Sequence, residues 1–170
     1  KYWHLAHPGA WMFFHNVFLN EGLLASASYV AQFPGLGGVA SPYSLKMKSG
    51  DEKELAWEAV RVEEFPGSPS REGCIFLFDE YEHADHTANI WFPNQKRHFL
   101  EARILSQSTI QKVDSKWLDC NNENWVHCAR QYWKGEITNA PLYEVIVHGF
   151  VYFPGWSENP FGLSVPVPEG

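Results

Sequence analysis

The sequence predicts an α+β fold with a small, curved and largely antiparallel sheet and a few short helices. Strand-like and helix-like segments follow each other in the order strand, helix, strands, helix, strand, helix, strand, which lacks the even alternation of a doubly wound parallel sheet. Aromatic residues make up 16% of the chain, alongside 13 glycines and 11 prolines, and this composition favours short strands separated by turns. The uniform composition predicts a single domain spanning residues 1–170.

The N-terminal half begins with a predicted strand and a predicted helix. Residues 1–7 (KYWHLAH) are rich in aromatic side chains, and the Pro-Gly pair that follows ends the strand. In residues 10–21 the apolar side chains recur at helical spacing, and Gly22 is the predicted C-cap. Residues 33–44 predict a loop whose glycines are not in phosphate-binding order. Residues 55–65 fit a helix or a strand, and their β-branched and aromatic residues favour the strand.

The C-terminal half carries the strongest strand patterns. Residues 73–79 (GCIFLFD) have almost no polar interruption, so we expect a buried, central strand. Residues 143–153 (YEVIVHGFVYF) are the strongest strand candidate in the chain. The intervening sequence predicts a helix, a strand and a second helix at residues 80–91, 98–105 and 122–133.

Composition and charge exclude several classes of protein. With 45% hydrophobic and 19% charged residues the chain is not intrinsically disordered, and no run of about 18 apolar residues predicts a membrane span. Three widely spaced cysteines and an N-terminus without a basic region and apolar run predict a reduced, cytoplasmic protein. The formal charge of −7 disfavours a broad nucleic-acid-binding surface, although the clusters Lys46–Lys48 and Lys96–His98 could form a local basic patch.

The sequence lacks the motifs of several common catalytic and binding sites. It contains no GxSxG elbow, no P-loop and no GxGxxG fingerprint. His83 and His86 are three residues apart on a predicted helix, but no further ligand pattern accompanies them, so we predict no metal site. Glu144 is unusual because it heads an otherwise apolar strand. A carboxylate in that position needs partners or a function.

Three segments, in this order, resemble the ADP-ribosyltransferase superfamily. YWHLAHPGAWMFFHNVFLNEGLL is similar to the family's opening strand with its His, here His4, followed by a helix and a Gly-Leu pair. GCIFLFDEYEHAD resembles the strand that ends in an aromatic residue and runs into a helix. YEVIVHG resembles the strand that carries the catalytic Glu, here Glu144. The turn FPGSPSREG is similar to one in a largely uncharacterised bacterial branch of this superfamily.

The resemblance implies a split sheet, NAD as co-substrate and Glu144 as the catalytic residue. Glu144 would stabilise the positive charge that develops on the ribose as nicotinamide leaves. The cofactor-binding residues that the resemblance implies are His4, Tyr29, Arg71, Phe76 and Phe78. In this alignment His4 holds the ribose and Phe76, or alternatively Phe78, stacks on nicotinamide. Arg71 either pairs with the pyrophosphate or only braces its turn.

The implied activity is mono-ADP-ribosyl transfer from NAD to a macromolecular acceptor. Such a protein would act as a toxin or defence effector. A neutralising partner protein would be compatible with that role. Two alternatives remain open: an NAD glycohydrolase that uses water as acceptor, and a binding module that has lost the reaction. Leu142 stands where arginine-modifying toxins carry Glu or Gln, which argues against an arginine acceptor. The net charge of −7 favours protein over nucleic acid as the acceptor.

Overall fold

Two antiparallel sheets form the centre of the fold. The computed structural model describes residues 1–33 and 50–155; most of the predicted loop at 33–44 and nearly all of the Pro-rich tail lie outside these ranges. One sheet has four strands in the order β1-β4-β7-β2, and the other has three in the order β3-β6-β5. In chain order the strands are β1 (Tyr2–Ala6), β2 (Leu23–Ala25), β3 (Ile75–Leu77), β4 (His98–Ile104), β5 (Thr109–Asp114), β6 (Tyr143–His148) and β7 (Phe150–Tyr152).

Short helices connect and cover the strands. In the described part of the chain the α-helices are α1 (Trp11–Leu19), α2 (Ala27–Val30), α3 (Glu52–Glu64), α4 (Tyr81–Trp91) and α5 (Trp125–Lys134), with 3-10 turns η1 (Ser115–Asp119) and η2 (Asn122–Asn124). Every strand pair in these residues is antiparallel. The predicted α+β class with antiparallel sheets and a few short helices is therefore confirmed.

The two sheets meet where β1 passes the end of β3. The backbone N–H groups of Trp3 and Phe78 each donate to the other residue's carbonyl oxygen at 2.8 Å, which makes an isolated antiparallel bridge. β3 then pairs with β6 on its other side, with Phe76 opposite Ile146. The strands β1, β3 and β6 consequently lie side by side across the join between the two sheets.

Each face of β3 and β6 packs against a different hydrophobic core. The first core contains Leu77, Val145 and Val147 together with side chains from α1. The second core contains Ile146 and side chains from α3 and α5. Because successive strand residues point to opposite faces, Glu144 lies on the same side as Ile146, toward the second core.

The predicted strand at 55–65 is wrong, because this segment belongs to helix α3. The Asp51 side chain caps the helix by accepting a hydrogen bond from the Glu54 N–H at 3.1 Å. This bond satisfies one of the backbone N–H groups of the first turn that have no partner within the helix. Trp57 and Val60 are buried three residues apart, in accordance with helical periodicity. The β-branched residues favoured a strand locally, but capping and tertiary packing outweigh that preference.

The predicted strand at 143–153 is two strands that belong to different sheets. Gly149 separates β6 from β7 with a φ of 138°, a conformation that L side chains rarely adopt. A Cβ atom on Gly149 would also lie only 2.4 Å from the Ser108 hydroxyl oxygen. This glycine therefore lets one continuous apolar segment pass from the three-stranded sheet into the four-stranded sheet.

The predictions for two other strands need adjustment. The predicted central strand at 73–79 is the shorter strand β3. Among the described residues it has a ladder partner only in β6, apart from the bridge to β1 that follows it. The polar segment after residue 105, for which no strand was predicted, contains β5. β5 ends the three-stranded sheet, and polar residues stand on both of its faces, Thr109 and Gln111 on one and Lys112 and Asp114 on the other.

Candidate functional site

A buried polar cluster lies beside the second core, and Arg71 is at its centre. The guanidinium donates to both carboxylate oxygens of Glu54, from Nε at 3.0 Å and from Nη2 at 3.2 Å. Its Nη1 donates to the Tyr132 hydroxyl at 2.7 Å. Arg71 is 1% exposed and Glu54 is 3% exposed. The two-pronged, charge-assisted pair with Glu54 holds α3 against the turn that carries Arg71. The hydrogen bond to Tyr132 holds α5 against the same turn.

Glu144 belongs to the same cluster and is held by Ser115. The Ser115 hydroxyl donates a hydrogen bond to the Glu144 carboxylate, and Glu144 is only 2% exposed. Burial raises the pKa of Glu144, while the positive charge of Arg71 and the Ser115 hydrogen bond oppose that rise. Glu144 is therefore a stronger proton acceptor than an ordinary glutamate when it is ionised. This buried polar cluster consists of Glu54, Arg71, Ser115, Tyr132 and Glu144.

A cavity of about 290 Å³ opens next to this cluster. Ser115 and Arg71 form part of its wall, whereas Glu144 is not among the lining residues. Ser115 thus both binds the Glu144 carboxylate and lines the cavity. Other lining residues supply an ammonium group and two aromatic rings, from Lys53, Trp91 and Phe92. Such a cavity fits an aromatic, polar ligand of modest size.

The surroundings of the cavity are mixed in charge. Lys53 donates from its ammonium to the Leu118 carbonyl at 3.2 Å, and Asp119 also lines the cavity. The Arg97 guanidinium lies 3.8 Å from the centre of the Phe92 ring, a cation–π contact at the edge of the site. The cavity therefore combines the Lys53 ammonium group and aromatic surface with two lining carboxylates, those of Glu54 and Asp119.

Asp114 holds the segments next to the buried polar cluster in place, and sequence reasoning missed it. Its carboxylate accepts hydrogen bonds from the backbone N–H groups of Lys116, Thr138 and Leu142 and from the Thr138 hydroxyl, at 2.7 to 2.9 Å. These bonds tie η1, which begins at Ser115, to the segment that precedes β6. Burial alone would raise the pKa of Asp114, but the hydrogen bonds from Thr138, Leu142 and Lys116 together lower it.

Replacing Asp114 by Asn is expected to destabilise the protein by about 1–3 kcal/mol at neutral pH, because an amide accepts fewer strong hydrogen bonds than a carboxylate. The folded-state pKa of Asp114 lies below its unfolded value, so its stabilisation is present above the unfolded pKa of about 3.9 and disappears as the pH falls through the folded pKa. Denaturant unfolding at pH 7 and pH 3 checks this prediction. The difference between wild type and Asp114→Asn should shrink at the lower pH, and a constant difference would contradict the assignment.

His4 lies in the first core rather than in the buried polar cluster. Its imidazole stacks on Phe13 with ring centres 4.6 Å apart and meets Phe153 edge-on at 5.7 Å. Its Nδ1 lies 2.9 Å from the Phe76 carbonyl oxygen, and since that oxygen can only accept, Nδ1 carries the proton. Burial lowers the pKa of His4. The structure therefore brings His4 close to the Phe76 backbone but not to the Glu144 side chain, which faces the other core.

The two aromatic residues of the predicted nicotinamide wall have different surroundings. The Phe76 ring lies 5.5 Å from the Arg71 guanidinium carbon and packs against the second core. Phe78 is only 3% exposed, and its backbone forms the bridge to β1. Phe78 is buried, as is typical of a continuous apolar strand, whereas Phe76 is half-buried. Phe76 remains next to the cluster that contains Glu144.

Tyr29 lies beside a different group of side chains. Its ring contacts Phe33, His148 and Phe150 at centre distances between 4.8 and 5.6 Å. The structure thus brings together Arg71, Phe76 and Glu144, and it places Tyr29 and His4 elsewhere. Phe78 directly follows β3, at the bridge to β1.

Sequence reasoning missed the partners that complete the cluster. Glu54 stands directly before the segment interpreted as a strand, and Ser115 and Tyr132 lie in segments that were given no function. One signal was available for Glu54. It stands three residues after Asp51, a spacing typical of a helix N-terminus. On a helix, Glu54 would share a face with Trp57 and so point to the core.

Two broader properties hold for the described residues. No helix in residues 1–33 and 50–155 is both long and apolar enough to cross a membrane. Over the same ranges, no three His, Cys, Asp or Glu side chains are grouped so that they could hold a metal ion.

Comparison with known proteins assigns the chain to a family. The family described as Protein of unknown function (DUF2441) matches residues 40–154. This segment is more than half of the chain and includes the whole buried polar cluster, whereas His4 and Tyr29 precede it. No curated protein matches the chain. The extent of the family match shows that the chain belongs to the DUF2441 family.

Proposed function

We propose that this protein is a mono-ADP-ribosyltransferase that cleaves the nicotinamide–ribose bond of NAD and transfers ADP-ribose to a macromolecular acceptor. The observation that supports it most directly is the adjacency of β1, β3 and β6. These strands carry the segments that resemble the superfamily's opening strand, aromatic strand and glutamate strand. The segments are far apart in sequence, so their adjacency does not follow from local structure.

The chemistry of the cluster supports a role for Glu144 in this reaction. Departure of nicotinamide leaves positive charge on the ribose, which a fixed carboxylate stabilises most effectively where water is excluded. Glu144 is buried and has a raised pKa, so it can also accept the proton of the attacking nucleophile. Ser115 binds Glu144 and lines the cavity, and it would pass that hydrogen bond to the substrate.

In this proposal the cavity receives part of NAD rather than the whole molecule. Its volume of about 290 Å³ suits the nicotinamide riboside end. Trp91 and Phe92 provide aromatic surface for a flat ring. Lys53 provides a positive charge for a phosphate. In this arrangement His4 supports β3 through the Phe76 carbonyl and does not contact the ribose.

A second candidate is a binding module without turnover, and the burial of the cluster favours it. Glu144 is 2% exposed, and the Arg71 guanidinium already binds Glu54 and Tyr132. Catalysis by Glu144 requires its carboxylate to act on the substrate. Either the Ser115 hydroxyl moves aside so that the carboxylate contacts the substrate, or this hydroxyl relays the hydrogen bond between them. The two candidates differ in whether NAD is consumed.

Incubation of the protein and a cell lysate with NAD labelled on the adenine separates these activities. We expect label on a macromolecule together with free nicotinamide. Free ADP-ribose without labelled macromolecule would instead indicate a glycohydrolase with water as acceptor. Saturable NAD binding with no release of nicotinamide would indicate the module. Treatment of the labelled fraction with protease and with nuclease then identifies the acceptor, which the net charge of −7 leads us to expect is protein.

A further inference from the structure

Helix α1 is apolar on its outer side as well as on the side that packs against the sheet. Phe14 and Val17 point inward and belong to the first core. Trp11, Met12 and Leu19 lie on the outer side and are 59%, 69% and 60% exposed. A surface helix normally carries polar residues on its outer side, and a helix that is apolar all round is normally covered on every side. The outer side of α1 therefore has the character of a surface that another element covers.

The exposed residues of α1 form one continuous stripe. Trp11, His15 and Leu19 follow each other at intervals of four residues, so they stand in line along the helix. Met12 lies beside them, three residues before His15. The Asn16 side-chain amide donates to the Met12 carbonyl at 2.7 Å, which holds this side chain against the helix backbone. The α1 face consists of Trp11, Met12, His15 and Leu19.

The size of the α1 face suits the centre of a protein–protein interface. On a scale of about 200 Å² for a large apolar residue that is fully exposed, Trp11, Met12 and Leu19 leave roughly 400 Å² uncovered. Contiguous apolar patches of this size are typical of interaction sites. A stable homodimer buries about 800 Å² on each subunit, of which about two thirds is apolar. The α1 face supplies most of that apolar share, and Leu23, four residues beyond Leu19, is also exposed.

The charge of the α1 face favours a second copy of this chain as its partner. α1 contains no Asp, Glu, Lys or Arg, although the whole protein has a net charge of −7. Two copies that met through an acidic surface would repel each other, whereas an uncharged face can meet itself without like-charge repulsion. We propose that the protein forms a homodimer in which two α1 helices pack antiparallel across a two-fold axis at His15.

This axis pairs the largest side chains of the face. Trp11 of one copy packs against Leu19 of the other, because each lies four residues from His15 on opposite sides. Glu21 is the first charged residue after α1. The two copies of Glu21 lie at opposite ends of the helix pair, roughly 18 Å apart at about 1.5 Å per residue. This separation is about twice the Debye length at physiological salt, so their repulsion is largely screened.

Sedimentation velocity on the full chain, at protein concentrations up to about 100 μM, tests the homodimer. The wild type should approach twice the monomer mass as the concentration is raised. Leu19→Glu places a carboxylate from each copy against Trp11 of the other, and it should raise the Kd of the dimer by about 100-fold or more. Val62→Glu is the matched control, because Val62 is 57% exposed on helix α3, and it should leave the Kd unchanged.

A cross-link tests the position of the axis independently. His15→Cys should form a disulfide between two copies under mild oxidation, because a residue at the axis meets its own copy. Val62→Cys should give no such cross-link under the same conditions.

Several outcomes would each overturn the proposal. They are a wild type that stays monomeric, equal loss of the dimer in Leu19→Glu and Val62→Glu, and absence of a cross-link in His15→Cys. A monomer that binds phosphatidylcholine vesicles, and loses that binding in Leu19→Glu, would assign the α1 face to a lipid surface and overturn the homodimer as well. None of these outcomes depends on the proposed transferase activity.

Discussion

Glu144→Gln is expected to reduce the turnover of NAD by about two orders of magnitude or more, the usual cost of losing one fixed electrostatic group in a transition state. The amide keeps the shape of the side chain, and its oxygen can still accept the hydrogen bond from Ser115. The variant should therefore fold, while it can no longer neutralise positive charge on the ribose. Release of nicotinamide and the thermal unfolding midpoint are measured on the same preparation.

Two further measurements make the role of Glu144 specific. Glu63 is an exposed acid on α3, so Glu63→Gln is a matched control that removes the same charge away from the cluster. In the wild type the acid limb of the pH–rate profile should lie above the ordinary glutamate range, because the pKa of Glu144 is raised and the ionised form is required. Turnover of Glu144→Gln close to that of wild type would show that Glu144 is not the catalytic acid.

The outline of the fold could be predicted because its signals are local. The strand at 98–105 and the helix at 80–91 have strong periodic patterns, and the structure has β4 and α4 in those places. α3 was missed because its β-branched residues resemble a strand unless the Asp51 cap is recognised. β5 was missed because polar residues stand on both of its faces, so the hydrophobic pattern that marks a buried strand is weak.

The candidate site could be predicted only in part, because its partners are distant in sequence. Glu144 attracted attention through its unfavourable position in an apolar strand, and its burial confirms that it needed a partner. That partner, Ser115, is 29 residues away, and no spacing rule connects the two. Similarly, Arg71 stood out within its turn, but its pairing with Glu54 depends on how α3 packs against the sheet.

Removal of the Arg71 side chain is expected to have the largest effect on stability. Arg71→Met leaves the Glu54 carboxylate buried without its counter-charge, which costs about 3–5 kcal/mol when one member of a buried pair is removed. The Tyr132 hydroxyl also loses its partner. The free energy of unfolding is measured by denaturant titration at neutral pH.

A double variant separates the ion pair from simple packing. Glu54→Gln combined with Arg71→Met removes both charges, so it should be more stable than Arg71→Met alone. Equal stability of the two variants would show that the Glu54 charge contributes nothing and that Arg71 acts by filling space. Because buried pairs have a large desolvation cost, the free energy of unfolding of the double variant should approach that of wild type.

Arg71→Lys decides between the two roles that the sequence left open for this residue. Lysine keeps the positive charge but cannot reach both Glu54 oxygens and the Tyr132 hydroxyl at once. If Arg71 braces the fold, as its hydrogen bonds to Glu54 and Tyr132 indicate, the variant loses stability while the folded fraction binds NAD with wild-type affinity. If Arg71 instead pairs with the pyrophosphate, NAD affinity falls even where the protein is fully folded. Titration with NAD well below the unfolding midpoint distinguishes these outcomes, and the complete engagement of the guanidinium inside the protein leads us to expect the first.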